Sequence, residues 1–269
     1  MRQYTRSPRY DSDNQSTGGL LPEPATSRQD CMSAAMKRYK YLRRIFKFQQ
    51  MDFEFALWQM WYLFVSPQKV YRNFHYRKQT KKQFARDDPA FLLLLSACFC
   101  FVLVSSIAFA IVLRLGIIQL IKFLVYVVLV DCIGCGIIVA TLFWFFGNKY
   151  LRRDCNDLQD IEWGYAFDVH LNAFFPQFVM IHIWQLFFYN GIINHEWFIS
   201  RFIGNSFWLV GICYYVYITF LGYNCLPFLH KTNLILSSVP VLVLFYIISI
   251  ISGWNVSHTV MEFYHNRVK

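Results

Sequence analysis

About five long apolar stretches follow a basic, aromatic first third, and nearly all the positive charge lies ahead of them. Residues 1–88 hold 17 of the 26 Lys and Arg but 8 of the 16 Asp and Glu, a net +9 in a chain of net +10. The remaining residues are close to neutral. A chain of this kind folds as a polytopic membrane protein whose basic segment stays on the cytosolic side. The composition agrees: 56% of the 269 residues are hydrophobic and only 16% charged. The apolar residues come in runs rather than stripes, which suits burial in lipid more than a soluble core.

The expected fold is all-α: a five-helix transmembrane bundle preceded by cytosolic amphipathic and interfacial helices. Residues 1–34 are rich in Ser, Thr, Gln, Gly and Pro and read as a disordered cytosolic tail, with no apolar core of a cleavable signal. Residues 35–88 carry the basic and interfacial helices. Within them, Tyr39, Leu42, Ile45 and Phe46 follow helical spacing. Lys37, Arg38, Lys40, Arg43, Arg44 and Lys47 fill the other positions, a pattern suited to an anionic leaflet. Met51–Val65 is apolar on most faces and contains Trp58 and Trp61. Fifteen helical residues reach about 22 Å, short of the hydrocarbon core, so this segment reads as interfacial or partly embedded. Pro67 ends it. Tyr71–Arg86 is basic again, with Arg77, Lys78, Lys81 and Lys82. These cations and the two tryptophans are the candidate membrane-surface or partner residues. Asp87-Asp88-Pro89 reads as a helix start.

The bundle occupies 89–254, with spans near 89–113, 120–146, 171–193, 202–221 and 234–251, and 255–269 forms a short lumenal C-terminus. With the N-terminus inside, the cytosolic segments carry 21 Lys and Arg against 5 on the other side, so the charge bias sets the orientation. Trp163, Trp197 and Trp254 fall near span ends, as interfacial aromatics do. Asn255-Val256-Ser257 is a glycosylation sequon on the lumenal side, close to the membrane.

Three intramembrane polar residues stand out. Asp131 is an acid in an apolar span and needs a partner inside the bundle. His182 and Gln185, one turn apart in the third span, are the candidates. Asp131 is either a relay or pocket residue of a small transporter or channel, or a structural acid between helices. The structural reading is the simpler, since there is one acid and no broken helix pair. Asp168, His170 and Asn172 cluster where the third span enters from the cytosol, and a capping and anchoring role suits them better than catalysis.

Eight cysteines raise the question of disulfides or zinc. Cys98, Cys100, Cys132, Cys135 and Cys213 lie inside apolar runs, where a thiol behaves as a small hydrophobe. Cys132 and Cys135 have redox-motif spacing but no βαβ context. No cofactor or metal is called for, and no HExxH, GxSxG or paired intramembrane aspartates suggest an enzyme. RNA binding by the basic, aromatic N-terminal region is an alternative to membrane attachment, without a recognisable RNA-binding signature beside it.

Four segments carry a resemblance. RRIFKFQQMDFEFALWQM (Arg43–Met60), YRNFHYRKQTKKQFARDDPAF (Tyr71–Phe91), EWGYAFDVHLNAFFP (Glu162–Pro176) and FLGYNCLPFL (Phe220–Leu229) occur in this order. Together they resemble the uncoordinated-fifty family of Golgi membrane proteins, over roughly residues 40–265. The resemblance implies a five-span Golgi protein with a cytosolic N-terminus and lumenal C-terminus. It implies a link to the large guanine-nucleotide exchange factors of Arf GTPases and to surface expression of nicotinic acetylcholine receptors. RNA binding and an inner nuclear membrane location are also implied. No catalytic residue is.

Overall fold

The structure, a computed structural model, describes residues 49, 51–73, 86, 88–105, 117–126, 130, 133–152 and 160–268, all within residues 41–269. Lys37, Arg38, Arg43, Arg44, Lys47, Arg77, Lys78, Lys81, Lys82 and Asp131 lie outside the described residues. The helices are α1 (Phe53–Val65), α2 (Ala90–Ser105), α3 (Ile117–Tyr126), α4 (Cys135–Phe146), α5 (Trp163–Phe178), α6 (Gln185–Phe188), α7 (Phe198–Asn224), α8 (Asn233–Leu236), α9 (Ser238–Ile251) and α10 (Val256–Val268). Strands are absent among the described residues, apart from an isolated antiparallel bridge between Arg152 and Leu229.

Two of these helical stretches, Phe198–Asn224 and Asn233–Ile251, are long and apolar enough to cross a membrane. The five-span count is therefore coarser in the structure than in the sequence. The expected first and second spans run into residues outside the described set. The third is not one regular helix. It begins at Trp163 rather than 171 and reaches Ile193 through π-helical turns at Val179–Trp184 and Tyr189–Ile193. Pro176 sits inside α5, just ahead of the first of these turns. A proline there has no N–H for the carbonyl four residues back, so the regular ladder is already broken.

Neighbouring helices run antiparallel. Trp163 Nε1 donates to Thr141 Oγ1 at 3.0 Å, and a Cβ on Gly136 would lie 3.0 Å from His170, which aligns α4 against α5. Tyr165 bonds the Gly222 carbonyl and His170 meets Tyr215, aligning α5 against α7. Asn205 reaches Ser249 at 3.0 Å, and Thr232 donates to Asn224 at 2.9 Å, aligning α7 against α9. At one end, His230 N donates to Leu151 O at 2.9 Å and Arg152 pairs with Asp160 at 2.7 Å. Residues 147–152, 160–162 and 225–232 thus share that end, where Asn148 also clamps Ile161 by both its amide groups.

At the opposite end α9 stops at a turn in which Gly253 takes φ +73°, a conformation that favours glycine. Arg201 lies against it. The expected lumenal C-terminal stretch is helical, as α10.

The segment Met51–Val65 is not simply laid on the surface. Asp52 caps α1 by accepting from Phe55 N at 2.9 Å. One face of the helix, Ala56, Gln59, Met60 and Leu63, is buried in the core with Phe91, Leu95, Phe175 and Tyr223. Ser66 interrupts the helix, and residues 67–73 resume it, with Val70 and Tyr71 buried. Asp88 accepts from Ala90 N at 3.1 Å, so the acid ahead of Pro89 does start a helix.

Candidate functional site

The helical period separates the three residues that the sequence groups together. Asp168 and Asn172 are four apart and share a face of α5, whereas His170 points elsewhere. All three are buried inside the helix rather than capping it, since α5 starts five residues earlier. The expectation of capping is therefore corrected: these side chains join helices.

Asn172 Oδ1 accepts from Gln59 Nε2 of α1 at 3.1 Å and from the Arg86 guanidinium. Asp168 Oδ2 accepts from the Arg86 backbone N–H at 2.6 Å. The Arg86 guanidinium also lies over the Phe91 ring, 4.2 Å from its centroid. One face of α5 thereby holds α1 and the start of α2. A charge this far from water needs such partners, because an unpaired one would be expensive. His170 serves the other side. Its Nδ1 meets Tyr215 Oη at 2.8 Å on α7, its ring stacks on Phe174, and Gly136 of α4 leaves room for it.

His182 and Gln185 do not act as a pair. His182 stacks on Phe178, with centroids 5.0 Å apart. Gln185 donates to Ser257 Oγ of α10, which Trp208 Nε1 also reaches at 3.2 Å. Their link to Asp131 lies outside the described residues. Trp58 is half-buried and packs on Tyr62 and Phe55, while Trp61 is exposed. Among the described residues no three His, Cys, Asp or Glu converge on a metal position. Among the described residues Cys98, Cys135 and Cys213 are free thiols, while Cys225 Sγ lies 3.1 Å from Tyr165 Oη.

The sequon residue Asn255 is engaged in packing. Its amide donates to Ile193 O at 3.0 Å and its Oδ1 accepts from His258 N at 3.2 Å, while Ser257 is buried. An attached glycan would sit on the amide nitrogen that donates to Ile193 O and would have to displace that contact. We expect no mobility shift on glycosidase treatment of the native chain, and the same migration for Asn255→Gln. A shift confined to the native chain would refute this.

Gln59, Arg86 and Asn205 are the residues that sequence reasoning missed. Asn205 is buried and satisfied on both sides of its amide, bonding Ser249, Trp254 O and Val256 N. The available signal for Gln59 was a lone amide in an aromatic run. For Arg86 it was a cation directly before the helix-starting acids.

The UNC-50 family model matches residues 41–265. The chain belongs to the UNC-50 family. It is 62% identical over 249 residues to the "Protein unc-50 homolog" of Drosophila melanogaster, covering 92% of this chain and 89% of that one. The human protein of the same name is 57% identical over 237 residues, covering 88% and 90%. That of Danio rerio is 56% identical over 253 residues, covering 93% and 95%. No solved structure matches. The match takes in every contact of the polar cluster described above, so this UNC-50 chain is a membrane protein whose family supports a role of the trafficking type.

Proposed function

We propose that this chain is a non-enzymatic Golgi membrane protein of vesicular transport. In this reading it recruits or supports a large Arf guanine-nucleotide exchange factor and thereby promotes surface expression of receptors such as nicotinic acetylcholine receptors. The observation that carries the reading is a family match over residues 41–265 in a chain with nearly all its net charge ahead of residue 89. An exchange factor is cytosolic, so its contact is cytosolic. The basic segments around Lys37–Lys47 and Arg77–Lys82 carry the charge suited to an anionic leaflet and are the expected recruiting residues. The polar cluster of α5 holds α1 and Arg86 to the helices that follow.

Deleting residues 36–86 would not test this, because it would also remove Gln59, Met60 and Leu63 from the core. Reversing the charge of Lys37, Arg38, Arg43, Arg44 and Lys47 leaves the described core intact. The expected result is loss of exchange factor from co-purification in mild detergent, with the protein still in Golgi membranes. Retained exchange factor would sink the recruitment reading. Crosslinked RNA lost by the same substitutions, with no exchange factor on the native chain, would put RNA binding in its place.

A further inference from the structure

The buried face of α1 faces α2 and α5, and beyond the exposed Glu54 of its first turn the opposite face is apolar too. Leu57 is 56% exposed, Trp61 68% and Val65 62%, three residues at helical spacing on one stripe. Water, protein and lipid are the three possible neighbours. The depth of α1 in the bundle discriminates between them.

Gln59 bonds Asn172, Phe64 packs edge-on against Phe175 with centroids 5.5 Å apart, and Tyr214 Oη donates to the Leu63 carbonyl at 2.8 Å. Helix α1 therefore lies level with residues 172–175 of α5 and 214 of α7. The α7–α9 contacts run from Asn224 with Thr232 to Ser206 with Tyr246, which brings Tyr214 level with residues 240–241. Residue 241 is eight positions into the apolar stretch from Asn233, about 12 Å along a helix. Helix α1 thus sits well inside the band where α9 is apolar all round.

Other helices also present apolar side chains outward at this level. Val241 and Leu244 of α9 are exposed there, as are Ile137 and Ile138 of α4, beside the Gly136–His170 contact. Asp52 N donates to Asp88 Oδ2 at 2.8 Å, close to the Arg86–Asp168 contact, and beyond α1 the chain climbs back to that level. Gln68 donates to Tyr217 Oη at 3.2 Å, and Tyr71 packs against Gly222. Lys69, exposed, places its ammonium 5.1 Å from the centre of the Tyr62 ring, as suits a cation at the membrane edge.

We propose that residues 52–73 form a re-entrant element, entering and leaving on the same side, whose Leu57–Trp61–Val65 stripe is embedded in phospholipid acyl chains. Non-spanning backbone at membrane depth is tolerated where the protein shelters it, and here α2, α5 and α7 do so. The proposal stands apart from exchange-factor recruitment. It removes the Leu57–Trp61–Val65 face from the surface available to a cytosolic partner.

The test is photocrosslinking in native membranes with the full-length chain. Benzoylphenylalanine is placed in turn at Leu57, Trp61 and, for comparison, Arg72, all exposed positions where substitution leaves the core untouched. Mass spectrometry should find phospholipid adducts at Leu57 and Trp61 at least several-fold above those at Arg72. Adducts dominated by protein at Trp61, whether from this chain or another, would overturn the proposal. So would lipid yields at Leu57 and Trp61 no higher than at Arg72.

Discussion

Replacing Asn172 with leucine is expected to cost about 2–5 kcal/mol of stability, because two donors lose one acceptor at once. The Gln59 amide and the Arg86 guanidinium both end on Asn172 Oδ1. Gln59 is buried and cannot turn to water, and Arg86, half-buried, is held at its backbone by Asp168. For a chain of this size the melting temperature should fall by roughly 10 °C, measured on detergent-purified protein. Gln59→Leu alone should cost less, since Arg86 keeps its acceptor. The double variant Gln59→Leu, Asn172→Leu should cost less than the two single losses added, because one orphaned donor leaves with its partner. A wild-type melt for Asn172→Leu would show that the cluster does not hold α1 to α5.

Replacing Gly222 with valine should be as damaging for a steric reason. A Cβ at this position would lie 2.7 and 2.8 Å from the two methyl groups of Val169, and 3.2 Å from the Tyr71 ring. Val169 is β-branched and helical, so its methyls have no free rotamer to retreat to. The helices α5 and α7 must separate, which stretches the Tyr165 hydroxyl away from the Gly222 carbonyl, now 2.5 Å apart. Overpacking of this kind is worth on the order of 3 kcal/mol, and small residues at such crossings are what let membrane helices approach. The measurement is thermal stability together with protease resistance of the folded chain. Gly222→Ala should be milder and should be partly rescued by Val169→Ala, which removes the clashing methyls. Gly191→Ala is the control, since a Cβ there meets nothing within 4 Å. If Gly222→Val and Gly191→Ala melted together, close α5–α7 packing would not be what the glycine provides.

The two predictions also mark how far the chain could be read beforehand. The apolar runs, the charge asymmetry and the helix start at Asp88 are local properties, written in composition and in short-range capping chemistry. They sufficed for an all-α membrane protein, and four ordered motifs sufficed for its family. What a residue in the middle of a run touches is not local. Asp168, His170 and Asn172 look like one interface cluster in sequence, yet the turn of the helix sends two of them to α1 and Arg86 and the third to α7. Asn255 looks like a glycan acceptor, yet the fold uses its amide to tie α10 to Ile193. His182 and Gln185 look like a pair, yet one stacks on Phe178 and the other reaches Ser257.

The segment around Trp61 makes the same division. Its length and polar breaks in sequence told only that it was too short to span. Whether it rested on the bundle or packed into it depended on partners at positions 172, 175 and 214, more than a hundred residues away. Hydropathy along a chain records how each residue partitions between water and lipid, and so it determines which segments enter the membrane. It carries no information about register between helices. That is set by steric fit at residues such as Gly222 and by the need of each buried polar group for a partner, conditions that only the assembled tertiary structure can satisfy.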